Sequence, residues 1–127
     1  MLRDQSVTVA RSLGESLAKI LQQKSALLVA STDLSHFYPQ AIAEKLDGEV
    51  LRQVQAFDPV GVLQAEYEGR GFACGHGALA ATLWAAKALG GYQVQILHYA
   101  TSGDVTGDYD RVVGYGAAVI TRSKITS

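Results

Sequence analysis

The stretch "LLVASTDLSHFYP", Leu27 to Pro39, constrains this chain more than any other. Leu27, Leu28, Val29 and Ala30 form an unbroken apolar run, the pattern of a strand buried on both faces. Such a strand has no polar face to offer water. It needs covering layers on both sides and neighbours along both edges. The run then gives way to Ser31, Thr32, Asp33, Leu34, Ser35 and His36, and Pro39 stops further pairing. The predicted strand spans 26–31 and ends on a carboxylate and an imidazole.

What surrounds that strand follows from periodicity. Val7, Ala10, Leu13, Leu17, Ile20 and Leu21 recur at helical spacing and predict an amphipathic helix over 6–23. Ile42, Leu46, Val50, Val54 and Phe57 do the same over 39–57. Asp58-Pro59, a capping residue followed by proline at the first helical position, opens a helix over 59–68. Gly69, Gly71, Gly75 and Gly77 bracket Cys74 in a loop, after which an Ala-rich helix runs from Ala78 to Leu89 and Gly90-Gly91 ends it. Strands are expected over 92–100 and 112–120, joined by the polar turn Thr101–Asp110, and these two can pair as a hairpin. The order α-β-α-α-α-β-β describes a layered α/β fold with helices on both faces of a central sheet. This chain supplies about three strands where sheets usually have about 4–6. The sheet is therefore expected to be completed by a missing N-terminal half or a partner. The 127 residues suit a single domain, 1–127.

Charge and hydropathy exclude several classes. Eleven basic and twelve acidic residues give a net charge of −1, with no Lys/Arg cluster, so a nucleic-acid partner has no electrostatic support. No apolar run approaches the ~20 residues of a membrane span. The first residues carry acids and no continuous apolar core, unlike a secretory signal. One cysteine cannot form an internal disulfide, and the expected location is cytoplasmic.

Three residues carry candidate chemistry. Asp33 and His36 leave a strand at its carboxyl end, where open α/β sheets bind ligands. An imidazole serves as acid, base or metal ligand near neutral pH, and a carboxylate three residues away can orient it or hold a cation. The plainer reading is a turn cap and a surface histidine. Cys74 lies in GFACGHGAL just before a helix N-terminus, which favours thiolate, a soft metal ligand or a nucleophile; the alternative is an inert buried cysteine. His76 is a weaker candidate than His36, because its glycine neighbours leave the backbone free. TSGDVTGDYDR resembles a phosphate nest or cation loop, although a turn-rich connection explains it as well. His98 sits inside a strand and is read as structural.

Taken together, STDLSHF, the Asp58 helix entry, ACGHGALAA and LHYATSGDVTGDYDRVVGYGAAVI resemble the C-terminal half of the Memo family, the B components of the AmmeMemoRadiSam set. That family is similar in fold to class III extradiol, non-haem iron dioxygenases. The resemblance covers nearly the whole chain, with TSGDVTGD…VVGYGAAVI its most specific part. It implies a pocket in which Cys74 joins two histidines from an N-terminal half around an iron or copper ion, with Asp33 and His36 beside the ion. Family members are much longer, and the motifs bearing those two histidines are absent here. The expectation is a fragment, a truncated product or one half of a split protein. Such a chain should associate with its missing half or with itself.

The resemblance implies a metal-dependent, redox or dioxygenase-related function, with Asp33 and His36 in acid–base roles and Cys74 as metal ligand. Two alternatives belong to other classes. One is a non-catalytic module that keeps the pocket to bind a peptide, including a phosphotyrosine peptide, or a small molecule. The other is a hydrolase using Cys74, His36 and Asp33 as nucleophile, base and orienting acid.

Overall fold

A computed structural model of the chain describes residues 1–123. Helix α1, Val7–Leu21, starts where the Ser6 hydroxyl accepts the Val9 N–H. Its buried face is made of small residues, Ala10, Gly14 and Ala18, and they let it lie close against α4, His76–Ala88. That contact forms one core cluster, with Ala10, Leu63, Ala80 and Ala81 buried and Leu13 and Trp84 packed around them. Helix α2, Gln40–Gln55, turns Val50 and Val54 into a second cluster with Leu34, Val62, Ala73, Leu83 and Val94. Helix α3, Pro59–Tyr67, begins at Asp58, whose carboxylate accepts the Gly61 N–H at 2.9 Å. The proline at the first helical position needs no such partner, since it has no N–H to satisfy.

The sheet has three antiparallel strands in the order β1-β3-β2, with β1 His36–Tyr38, β2 Gln93–Thr101 and β3 Val112–Thr121. β2 and β3 form the expected hairpin, in register from Gln93 opposite Thr121 to Thr101 opposite Gly114, with an irregularity between Ile96 and His98. The 101–110 connection contains a four-residue helix, α5, Gly103–Thr106. The expected layered α/β class stands, with five helices around a three-stranded sheet among the described residues.

The third strand is not the expected one. Residues 26–31 form no strand, and strand pairing begins only at His36. Leu27 is 88% exposed and Val29 69% exposed. A strand is defined by its ladder, and the backbone of 26–31 forms no hydrogen bond among the described residues. The apolar run has the composition of a buried strand but lacks the neighbours that would bury it. The other predicted elements stand within a few residues, and α4 starts at His76, two residues before the expected Ala78.

Candidate functional site

The loop that carries the candidate residues is held by a buried carboxylate on α2 and by the backbone of β3. Asp47, fully buried on α2, accepts the Ser35 N–H at 2.8 Å and the Tyr99 hydroxyl from β2 at 2.6 Å. Burial first, then the hydrogen bond to Asp47 and its negative charge, push the Tyr99 phenol well above its ordinary value. From β3, Gly114 accepts the Leu34 N–H and donates its own N–H to the Ser35 carbonyl, both at 3.0 Å. Only glycine fits there, since a Cβ at Gly114 would lie 1.8 Å from Asp47 Oδ2. Ser35 is fully buried, and its hydroxyl has no hydrogen-bond partner among the described residues.

From this anchored dipeptide the chain presents Asp33 on one side and His36 on the other. Asp33 Oδ2 lies 3.4 Å from His36 Nε2, and both side chains are roughly half exposed. Phe37 follows in the left-handed region, φ 68°, as the extra residue of a bulge between His36, opposite Val113, and Tyr38, opposite Val112. Its ring lies 5.6 Å from the His36 ring and 5.3 Å from the Arg111 guanidinium. A bulky residue with positive φ is uncommon and stores strain of about 1–3 kcal/mol, which marks places where surrounding contacts dictate the backbone.

Cys74 reaches the same place from the turn before α4. Its N–H points to the Asp33 carbonyl at 3.3 Å, and its sulfur is exposed. Thr32 Oγ1 lies 3.3 Å from the Cys74 sulfur, accepts the Gly75 N–H at 2.7 Å and donates to the Asp33 carbonyl at 2.9 Å. Because the hydroxyl proton is directed to Asp33, the thiol is the donor in the Thr32–Cys74 contact. Gln5 closes the turn by donating to the Cys74 carbonyl and accepting the Gly77 N–H. A Cβ at Gly77 would meet the Gln5 side chain at 2.8 Å.

His76 takes up the next position. Its Nδ1 lies 2.9 Å from the Ala73 carbonyl, and a carbonyl can only accept, so the neutral ring carries its proton on Nδ1 and its lone pair on Nε2. Glu66 Oε2 is 3.8 Å from the same nitrogen and accepts the Ala73 N–H at 3.0 Å. A hollow of about 410 Å³ is lined by His36, Cys74, His76 and Glu66, with Tyr38 and Phe72 stacked along one wall, rings parallel and 6.1 Å apart. Cys74 and His36 therefore face one cavity. Asp33 is tied to both, its carboxylate beside His36 and its carbonyl accepting the Cys74 N–H.

Among the described residues no three His, Cys, Asp or Glu side chains are grouped so as to hold a metal ion. The donors present are chemically suited to iron or copper, with one soft sulfur and nearby imidazoles, but they are too few for a shell. The thiol's polar neighbour is the Thr32 hydroxyl and His36 pairs with Asp33, so a Cys–His–Asp relay is not assembled here. His98 lies exposed on β2, outside the hollow. The polar 101–110 connection satisfies itself: Asp104 accepts the Thr101 N–H, Ser102 the Val113 N–H and Thr106 the Asp108 N–H. That is the bonding of a turn, the plainer of its two readings.

Sequence reasoning gave no role to Thr32, Glu66, Gln5 or Asp47, while Tyr99, expected as a packing or hydrogen-bonding group, donates to Asp47. Asp47 left a trace, since it falls on the helical stripe of Val50 and Val54, where a carboxylate is out of place unless something inside bonds it. Thr32, Gln5 and Glu66 left none, because their partners come from elsewhere in the chain.

A family model described as "Memo-like protein" matches residues 1–119. A MEMO1 family protein of Methanopyrus kandleri is 39% identical over 115 residues, which are 89% of this chain and 41% of that protein. A MEMO1 family protein of Nitrosopumilus maritimus is 38% identical over 117 residues, 92% of this chain and 42% of that one. One from Methanosarcina mazei is 37% identical over 118 residues, covering 91% and 44%. The chain thus spans about two fifths of the length of these relatives.

Proposed function

The chain belongs to the Memo-like family, and from that membership we propose that it supplies one side of a mononuclear non-haem iron or copper pocket. The observation that carries the reading is the shared hollow: Cys74 and His36 line it, and Asp33 pairs with His36 at 3.4 Å. Cys74 is the metal ligand, because its sulfur is the soft, exposed donor at the rim. An iron or copper ion held there supplies Lewis-acid and one-electron chemistry. His36 holds or moves a proton at Nε2, and the Asp33 carboxylate, 3.4 Å away, orients that ring. The remaining ligands come from the part of the family's polypeptide that these residues do not span, as a partner or as the rest of one protein. Function as a dioxygenase-like oxidoreductase is the reaction class this donor set fits. The cytoplasm suits a lone exposed thiol, and no described helix is long and apolar enough to cross a membrane.

The test is metal titration with elemental analysis. The chain alone should bind iron or copper weakly, since water fills most of the shell. Cys74→Ser should reduce that binding more than His98→Ala. Equal losses, or stoichiometric tight metal on a monomer, would overturn the ligand assignment. The stacked Tyr38–Phe72 wall favours one further reading, capture of a peptide side chain without turnover. Metal-independent binding of a tyrosine-containing peptide, abolished by Phe72→Ala, would support it instead.

A further inference from the structure

The uncovered edge of β3 and the extended apolar run 26–30 line one apolar groove. Gly114 directs both its N–H and its carbonyl to the β1 side, toward Ser35 and Leu34. In an antiparallel strand these directions alternate, so Gly116, Ala118 and Ile120 present their N–H and carbonyl groups along the same edge. β1 covers only the start of that edge, pairing with Val112 and Val113. Opposite lies the 26–30 run, whose backbone forms no hydrogen bond among the described residues. Both edges border one groove of about 740 Å³.

The walls define what belongs in it. Val50 and Val54 from α2, and Leu79, Leu83 and Ala86 from α4, line the groove. Lys24 and Arg122 are the charged residues on its border. An occupant must offer backbone donors and acceptors along both sides and apolar side chains to the walls. A single apolar β-strand of about five or six residues does both. It also gives the 26–30 run a paired edge, with the inserted strand between it and β3.

We infer that this groove receives one β-strand from the portion of the Memo-like polypeptide lying outside these residues, inserted between Leu27–Ala30 and the free edge of β3. The length of the relatives identifies the occupant, since roughly three fifths of each lies outside the match. The inference rests on the reading that this chain works with that portion, and adds where and how it docks.

Hydrogen exchange by mass spectrometry tests it. The probe is the unmatched portion of the Methanopyrus kandleri relative, co-expressed with this chain. Alternate amides within 27–30 and those at 116, 118 and 120 should exchange fast in the chain alone and at least tenfold more slowly in the complex. Val29→Pro removes a donor that is unpaired in the isolated chain, so the variant should fold by circular dichroism yet lose the complex by at least tenfold. A complex that leaves both edges fast-exchanging overturns the strand insertion while the partnership stands. No complex with the wild-type chain overturns both. A homodimer that protects the two edges names a second copy as the occupant and overturns this one.

Discussion

Thr32 Oγ1 lies 3.3 Å from the Cys74 sulfur, joining the end of the apolar run to the turn before α4 across 42 residues of sequence. The same oxygen is the acceptor for the Gly75 N–H. The hydroxyl thus sets the position of the thiol and the shape of the turn that carries it.

Thr32→Val keeps the volume and removes that oxygen. It leaves the Gly75 N–H without its acceptor, and a loss of about 1–3 kcal/mol is expected. Thr32→Ser should restore most of it. Urea denaturation of the three proteins checks this, and Cys74 alkylation rates should differ between wild type and Thr32→Val while Thr32→Ser follows wild type.

Tyr99→Phe deprives buried Asp47 of a donor, and destabilisation of about 1–3 kcal/mol or more is expected. The pH dependence has a definite sign. The phenol's folded value is raised above its ordinary 10.0, so the folded state holds this proton more tightly than the unfolded chain. That stabilisation is complete below the ordinary value and disappears as pH rises above it toward the folded value. Denaturation midpoints should fall above about pH 10 in the wild type and fall less in Tyr99→Phe. Equal alkaline slopes would remove Tyr99 from the account.

Gly114→Ala places a methyl group against Asp47 Oδ2. Overpacking of this kind costs typically about 1–3 kcal/mol, and here it also displaces the carboxylate that holds Ser35. Thermal unfolding should show the loss. The His36 ring resonances should shift in the NMR spectrum, because the dipeptide before it moves.

Ser35→Ala has the opposite expectation. The Ser35 hydroxyl is buried and unpartnered among the described residues, so removing it eliminates a desolvated polar atom. Stability should be unchanged or rise by up to about 1 kcal/mol. A clear loss would mean that the hydroxyl has a partner in the working protein.

Helices and the β2–β3 hairpin were legible because their signals are local: apolar spacing, the Asp58-Pro59 entry, the Gly90-Gly91 stop. Asp33, His36 and Cys74 were legible as types of residue at element ends, and the family resemblance tied them together. The 26–31 run was misread because its composition reports the environment it is suited to, while a strand also needs a pairing neighbour, which the described residues do not give it. Asp47 and Thr32 were opaque for a related reason. Each acts through hydrogen bonds to residues distant in sequence, Tyr99 and Cys74, and no periodicity encodes such pairs.

The fit of Asp47 against Gly114 also limits the order in which this sequence can change. A side chain at 114 is blocked while the carboxylate stands there, and a shortened residue at 47 would strand the Ser35 N–H and the Tyr99 hydroxyl together. The two positions are thus epistatic. Enlarging 114 is therefore least costly when 47 and 99 change with it, and each single step along that path costs stability.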